Sequence, residues 1–349
     1  MADPPILVAG AGYRPQVPSR KLQGVMDGKS QSVIKGKQAS QAIFDLAIAW
    51  NWEYDRDFVL QINNACLKSG LRPYLIHPFN LYETLQLLTE EKIKFRAFFD
   101  RASDTDYRFL ELVQFSQEKE AFFVNHPERI KWIDDKVLIH MDFTLNNIPV
   151  PPTFIYYPTD ERRVIMNKIK QIGVPFVVKP AHGVETGGLG VLLNARSVED
   201  VCHWHRRHKD FIFLLQKQII PCVMDKKLAW FRVFYILGKM PACWWDPLTH
   251  IYNVVTEAEV NKFNLNPLYE ITEQIAKIYK LGFFSTEIAV EKGKDFTVVD
   301  YINDQCDMRA QSKFVDGVCD ETVDIIVDTL AQKMRRRAEP RDNPGVPLP

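Results

Sequence analysis

Residues 175–193 read PFVVKPAHGVETGGLGVLL, and the rest of the chain is organised around them. Phe176, Val177 and Val178 predict a strand that Lys179 closes and Pro180 stops. A loop with Gly183, Gly187, Gly188 and Gly190 follows, and Val191, Leu192 and Leu193 open a second apolar run. Glycines there admit positive φ and let backbone N–H groups approach an anion closely. A lysine at the strand end adds a compact positive charge suited to phosphate. The pattern is a hairpin able to fold over the phosphates of a nucleotide. It is not a Walker loop, because no helix pattern follows the glycines.

Working outward, the chain has 349 residues, enough for two or three domains. Its 44 basic residues are matched by 44 acidic ones, so no global positive field recruits nucleic acid or an anionic membrane. No apolar run approaches the roughly 20 residues of a membrane span. The opening MADPPILVAG has no basic stretch before its short apolar run and does not read as a signal peptide. Six scattered cysteines without paired spacing then suggest reduced thiols and a cytoplasmic location.

Upstream, Ile6 to Ala9 predict a short strand before Gly10-Ala11-Gly12. The third glycine of a dinucleotide fingerprint is missing and Pro15 arrives where a helix should start, so a plain turn is the better reading. Residues 24–30 resemble a Walker loop one residue short and read as a polar loop. From Gln38, apolar residues at Ala39, Ile43, Leu46, Ala47 and Trp50 fit helical spacing. Residues 57–68 predict a helix ended by Gly70. Residues 72–77 predict a strand, 81–90 a helix and 94–99 a strand. This alternation implies an α/β unit with a largely parallel sheet over residues 1–130. Asp100 and Arg101, at a strand's C-terminal end, read as a surface ion pair.

A helix is expected over residues 134–145, and Pro149, Pro151 and Pro152 break it. Another is expected over 160–172 with Thr159 as its cap, and one over 197–209. The latter carries Cys202, His203, His205 and His208, whose spacing fits no closed zinc motif, so a polar helix face is preferred. Strands are expected over 211–220, 228–237, 283–290 and 296–302, and helices over 268–279 and 320–335. The tail RRRAEPRDNPGVPLP, rich in charge and proline, predicts disorder.

Several charges need one explanation: Lys136 and Lys179, Arg232 inside LAWFRVFYIL, and Glu287 and Asp300 on two late strands. A charge inside an apolar strand must find a partner, because an unpaired buried ion costs several kcal/mol. A polyphosphate with divalent metal satisfies them together: cations on phosphate oxygens, carboxylates and Asn303 as hard oxygen ligands. Taken singly, Lys136 reads as a solvated lysine, Arg232 as a partner for Glu287, and Asp300 with Asn303 as a turn.

In their order these motifs resemble the ATP-grasp superfamily, above all its glutathione synthetase and ribosomal-protein glutamate ligase branch. The carrying residues are Asn125-His-Pro, Asp135-Lys136, Pro149-x-Pro151-Pro152-Thr153, Val178-Lys179-Pro180 with the glycine loop, Leu215 to Ile219, Phe231-Arg232-Val233-Phe234 and Gly238-Lys239. They span residues 125 to about 315. The resemblance implies an α+β ATP-grasp fold, two subdomains clamping ATP, after an α/β domain with a mostly parallel sheet. The implied divisions are 1–130, 131–218, 219–338 and a disordered tail at 339–349. It implies that Lys136, Lys179, Gly187, Gly188 and Gly190 bind the phosphates. Gln216, Lys217, Gln218 and Ile219 would hold adenine, and Glu287, Asp300 and Asn303 would ligate two Mg²⁺ ions, with Mn²⁺ as an alternative. Arg232 and Lys179 would act in catalysis and Arg309 would anchor a substrate carboxylate.

The sequence departs from that pattern in places. Trp230 stands where the family usually has an acid two positions before the arginine. Asp300 and Asn303 are three apart instead of two, so a bulge must bring both inward, or Asp304 or Tyr301 faces the metal. No Pro-Gly follows the asparagine; Gln305-Cys306-Asp307-Met308-Arg309 stands there, which points to a non-standard acceptor. The implied activity is ADP-forming carboxylate–amine ligation through an acyl phosphate. Small-molecule carboxylate and amine are the substrates, no nucleic acid or membrane takes part, and a homodimer is allowed. The alternatives are a kinase acting on a hydroxyl, to which the basic residues Arg14, Arg20, Lys21, Lys29, Lys35 and Lys37 would suit a charged acceptor, or a non-catalytic ATP-binding protein.

Overall fold

A computed structural model of the chain describes residues 41–182, 190–207, 211–293 and 295–339, with Arg207 as backbone only. The expectations for Ile6 to Gly12, residues 24–30, Gly183, Gly187, Gly188, His208 and the tail from Pro340 lie outside the described residues.

The N-terminal part is a parallel sheet in the order Pro73–Ile76, Leu46–Trp50, Ala97–Arg101, Phe122–Val124. Parallel neighbours need crossovers, which the helices Arg56–Lys68, Leu81–Thr89 and Leu110–Glu118 provide. Its two faces feed different cores. Ala47, Ala49, Ile76 and Phe98 pack toward Leu88, Leu112 and Val113. Leu46, Ile48, Phe58 and Phe99 join Phe234, Phe283, Val323, Ile326 and Leu330, so this core is shared with the C-terminal part.

The helix expected from Gln38 to Trp50 is instead two strands, Ala42–Phe44 and Leu46–Trp50. Leu46, Ala47, Ile48 and Ala49 are all fully buried. A strand covered on both faces has no polar alternation, and its apolar run imitates a helix stripe. The single strand expected over 94–99 is broken at Arg96 into Ile93–Phe95 and Ala97–Arg101, which lie in different sheets. Arg101 is not at the surface: its side chain is 1 % exposed and its fork grips both oxygens of Asp55 at 2.9 and 2.7 Å. Its Nη2 also donates to the Cys306 carbonyl at 2.8 Å, tying the parallel sheet to the segment after the last strand. Asp100 instead accepts from the Ala102 and Ser103 amides. The helix expected from Asp160 under a Thr159 cap runs Arg162–Ile172 with Glu161 at the cap position.

Two multi-stranded antiparallel sheets follow, with a short two-stranded one, Val223–Met224 and Lys227–Leu228, between them in sequence. The smaller runs Thr153–Tyr156, Phe213–Lys217, Phe176–Pro180, Leu192–Ala195. The helices Arg162–Ile172 and Val198–Arg207 cover it through Ile165, Ile169, Val201 and Trp204. The larger runs Tyr252–Val254, Ala242–Trp245, Trp230–Ile236, Phe283–Val290, Phe296–Asn303. One of its faces packs on the helices Lys136–Leu145 and Asn266–Tyr279 through Ile139, Phe143, Leu268 and Ile275. The other turns toward the parallel sheet. Asn125 welds the two: its Oδ1 accepts from the Gly282 and Phe283 amides at 2.7 and 2.8 Å, and its Nδ2 donates to the Phe283 carbonyl at 2.5 Å.

Candidate functional site

Arg232, Glu287 and Asp300 lie in one row across three strands: Arg232 opposes Glu287, and Glu287 opposes Asp300. Strands sit about 4.8 Å apart, so the row spans about 10 Å and its side chains share a face. That face also carries Phe234 and Trp245 and belongs to the side shared with the parallel sheet. The register then shifts twice. Ile288 opposes Val298 while Glu287 opposes Asp300, and Ser285 opposes Asn303. Each shift adds one residue to the last strand, as a bulge does; the first sets Asp300 opposite Glu287, and the second puts Asn303 on the face of Asp300. Tyr301 falls on the opposite face, buried against Phe143 in the core beneath the helices. Of the alternatives that the three-residue spacing left open, the bulge is present, and Tyr301 faces away from Asp300 and Asn303.

Arg232 is held on several sides. Its Nη2 donates to Glu287 Oε1, its Nη1 donates to the Tyr252 hydroxyl at 3.0 Å, and its guanidinium lies 4.9 Å from the centroid of the Trp245 ring. The side chain is 4 % exposed, yet Nε has no hydrogen-bond partner among the described residues. Burial works against its charge, but Tyr252, Glu287 and Asp300 outweigh it and raise its pKa. An orphaned buried donor costs about 1–3 kcal/mol, which an incoming oxyanion would relieve.

Lys179, at the end of its strand in the smaller sheet, reaches across to the larger one, where its Nζ donates to the Val299 carbonyl. Burial lowers its pKa below the ordinary lysine range, Asp300 opposes that shift, and neighbouring Lys136 adds to it. Two ammonium groups close enough to repel each other, beside a carboxylate, make a site that a polyanion would stabilise. Lys136 is set by its helix. Asp135 caps Lys136–Leu145 by accepting from the Val137 and Leu138 amides, and the Lys136 amide donates to the Ala181 carbonyl at 2.8 Å.

The strand Phe213–Lys217 and the residues after it line the junction between the two sheets. Gln216 is buried; its Nε2 donates to the Tyr301 hydroxyl at 2.9 Å and to Thr153 Oγ1 at 3.1 Å. His140 Nδ1 lies 2.8 Å from the same hydroxyl. Burial lowers the His140 pKa, which favours the neutral ring. Lys217 pairs with Glu291 at 3.3 Å, and Gln218 brackets Asn194 through its backbone and side chain. Ile219 packs with Ala289, Val299 and Trp230 as an apolar wall beside the charged row. Gly190 lies just ahead of the strand Leu192–Ala195.

Arg309 stands apart from the row. Its Nε and Nη2 are engaged by Asp307, and Nη2 also by Asp316 at 2.9 Å, with the Phe314 ring 5.0 Å away. Asp304 faces the parallel sheet: burial and the nearby Asp104 carboxylate push it up to about 6. Sequence reading missed Tyr252, Asn125 as a strap, and the His140–Tyr301–Gln216 chain. These partners are far apart in sequence, and only the Asn125-His-Pro motif hinted at one of them.

The residues fit a nucleotide triphosphate with a divalent metal. The orphaned Arg232 Nε and the crowded lysines call for an oxyanion, and Asp300 and Asn303 supply hard oxygens on one face. No protein-family model matches the chain, and no curated protein matches it either. Solved structures are similar to it. A RimK-domain ATP-grasp protein from Sphaerobacter thermophilus DSM 20745 is 20 % identical, with TM-score 0.56 over 82 % of this chain and 98 % of its own. D-cycloserine synthetase DcsG is 14 % identical, with TM-score 0.58 over 84 % of this chain and 100 % of its own. The ATP-grasp ligase PsnB, complexed with minimal precursor, Mg and ADP, is 13 % identical, with TM-score 0.56 over 84 % and 99 %. At such identities the likeness is one of fold.

Proposed function

We propose that this chain, which has the ATP-grasp fold, is an ATP-dependent carboxylate–amine ligase that forms an amide through an acyl phosphate and releases ADP and phosphate. The observation that supports this best is the meeting of Lys179 from one sheet with Arg232, Glu287 and Asp300 from another, around a buried guanidinium with an unfilled donor. Its neighbours in fold include a synthetase and a ligase.

In this reading adenine lies against the backbone of residues 216–219, with Ile219 and Val299 as apolar walls. Lys136 takes the α-phosphate and Lys179 the α/β oxygens. Arg232 presents Nε to the γ-phosphoryl group, where charge is carried as a substrate carboxylate oxygen attacks and ADP leaves. The amine then attacks the acyl carbon, phosphate departs, and Arg232 neutralises it. A divalent ion at Asp300 and Asn303 would neutralise the phosphate oxygens. Arg309 takes a substrate carboxylate by exchanging it for Asp316, the more exposed of its two partners.

The test is a screen of amino acids, small carboxylates and short peptides for ADP formation, with product analysis. Phosphate released together with an amide supports the ligase. Phosphate transferred to a hydroxyl without release makes the chain a kinase. Tight ATP binding with no ADP from any substrate makes it a binding protein.

A further inference from the structure

We infer that the phosphate site of this chain holds a single divalent ion, on Asp300 and Asn303, and that Glu287 is the anchor of Arg232 instead of a metal ligand. The inference rests on the ATP-binding reading above, and it replaces the pair of ions that the sequence resemblance implies.

Both Glu287 oxygens are already engaged. Arg232 Nη2 donates to Oε1, and Trp230 Nε1 donates to Oε2 at 3.0 Å. The carboxylate is 12 % exposed and its arginine partner 4 %. A divalent ion on either oxygen would sit beside the guanidinium with little solvent between the two positive charges. Arg232 has nowhere to retreat, since Tyr252 and Trp245 fix it from behind. The flank beyond Trp230 is lined by the side chains of Ile219, Ala289 and Val299, and the next acid along it among the described residues, Glu291, is paired with Lys217 at 3.3 Å. Trp230 therefore fills the side of the row where a second ion would need a ligand.

Asp300 differs. Its carboxylate receives no hydrogen bond among the described residues, and Asn303 Oδ1 spends one lone pair on the Gln305 amide at 3.1 Å and keeps another. The register shift between Asp300 and Asn303 brings this pair onto one face. Among the described residues no three His, Cys, Asp or Glu side chains gather to hold a metal. Magnesium needs little from the protein, because it keeps several waters and binds through one or two side chains plus substrate phosphates. Asp300 and Asn303 hold one ion between them, with phosphate oxygens and water completing its shell, and among the described residues no further carboxylate joins them.

The experiment counts Mn²⁺ by electron paramagnetic resonance in the full chain saturated with AMPPNP. One ion per chain is expected. Two per chain would overturn the inference and leave the ATP reading standing, whereas absence of both Mn²⁺ and nucleotide binding would overturn the ATP reading itself. Asp300→Asn should weaken Mn²⁺ at least tenfold, and Glu287→Gln, checked for folding by its melting temperature, should change it less than twofold. Equal losses in the two variants would place Glu287 among the ligands and refute its assignment.

Discussion

Replacing Asn125 with alanine should loosen the parallel sheet from the sheet that carries Arg232 and Asp300. The side chain is 5 % exposed and satisfies two amides and one carbonyl at the start of the strand Phe283–Val290, at 2.7, 2.8 and 2.5 Å. Alanine would leave those groups without partners, at about 1–3 kcal/mol each. A water entering the vacated space recovers part of the loss, so the low end of the sum, about 3 kcal/mol, is the expected cost. At about 2 °C per kcal/mol for a large chain, the melting temperature should fall by about 6 °C. Differential scanning calorimetry with and without AMPPNP measures it. Nucleotide affinity should change little, because Lys179 and Arg232 sit on other strands, while turnover with any substrate that bridges the sheets should drop. A melting temperature within about 1 °C of wild type would show that these hydrogen bonds do not hold the sheets together.

Three further outcomes are expected. Tyr301→Phe removes the hydroxyl shared by Gln216 and His140, so it should cost about 1–2 kcal/mol in urea unfolding and weaken ATP severalfold, with Asp300 and Asn303 still in place. Gly317→Ala should destabilise the Arg309 segment by about 1–3 kcal/mol, because a Cβ would meet the Arg309 carbonyl oxygen at 2.5 Å and the Ala310 carbonyl at 2.8 Å; an unchanged unfolding curve would contradict this. The third concerns pH. Burial would raise Glu259, but hydrogen bonds from Lys227 and Thr256 overcome it and hold the carboxyl at about 2, below its usual 4.5. A depressed folded-state value gives stability that is full above pH 4.5 and is lost as pH falls toward 2. Glu259→Gln, which keeps the capping box with Thr256, should therefore melt lower than wild type at pH 7 and equal to it near pH 2.

The fold was largely legible because its decisive signals are local. The strand Phe176–Pro180, the glycine at the end of Arg162–Ile172 and the late hairpin around Lys292-Gly293 all follow from neighbouring residues. What failed depended on surroundings. Leu46 to Ala49 were misread because a strand buried on both faces has no polar side, and Arg101 because Asp55 lies 46 residues away. In the site, Arg232's need for a partner could be read from the apolar run around it, and Glu287 was the named candidate. That Trp230 takes the other Glu287 oxygen, and that a register shift after Asp300 turns Asn303 onto its face, are properties of paired strands that a single sequence does not display.

Lys179 and Arg232, from different sheets, are expected to bind the phosphates of one nucleotide. Isothermal titration of Mg²⁺-AMPPNP into the wild type, Lys179→Met and Arg232→Met measures it directly. One nucleotide per chain is expected, with affinity at least tenfold weaker in each variant, since each removes a charged contact to phosphate worth about 1.5–3 kcal/mol. Equal binding by all three proteins, or none by the wild type, would contradict the claim.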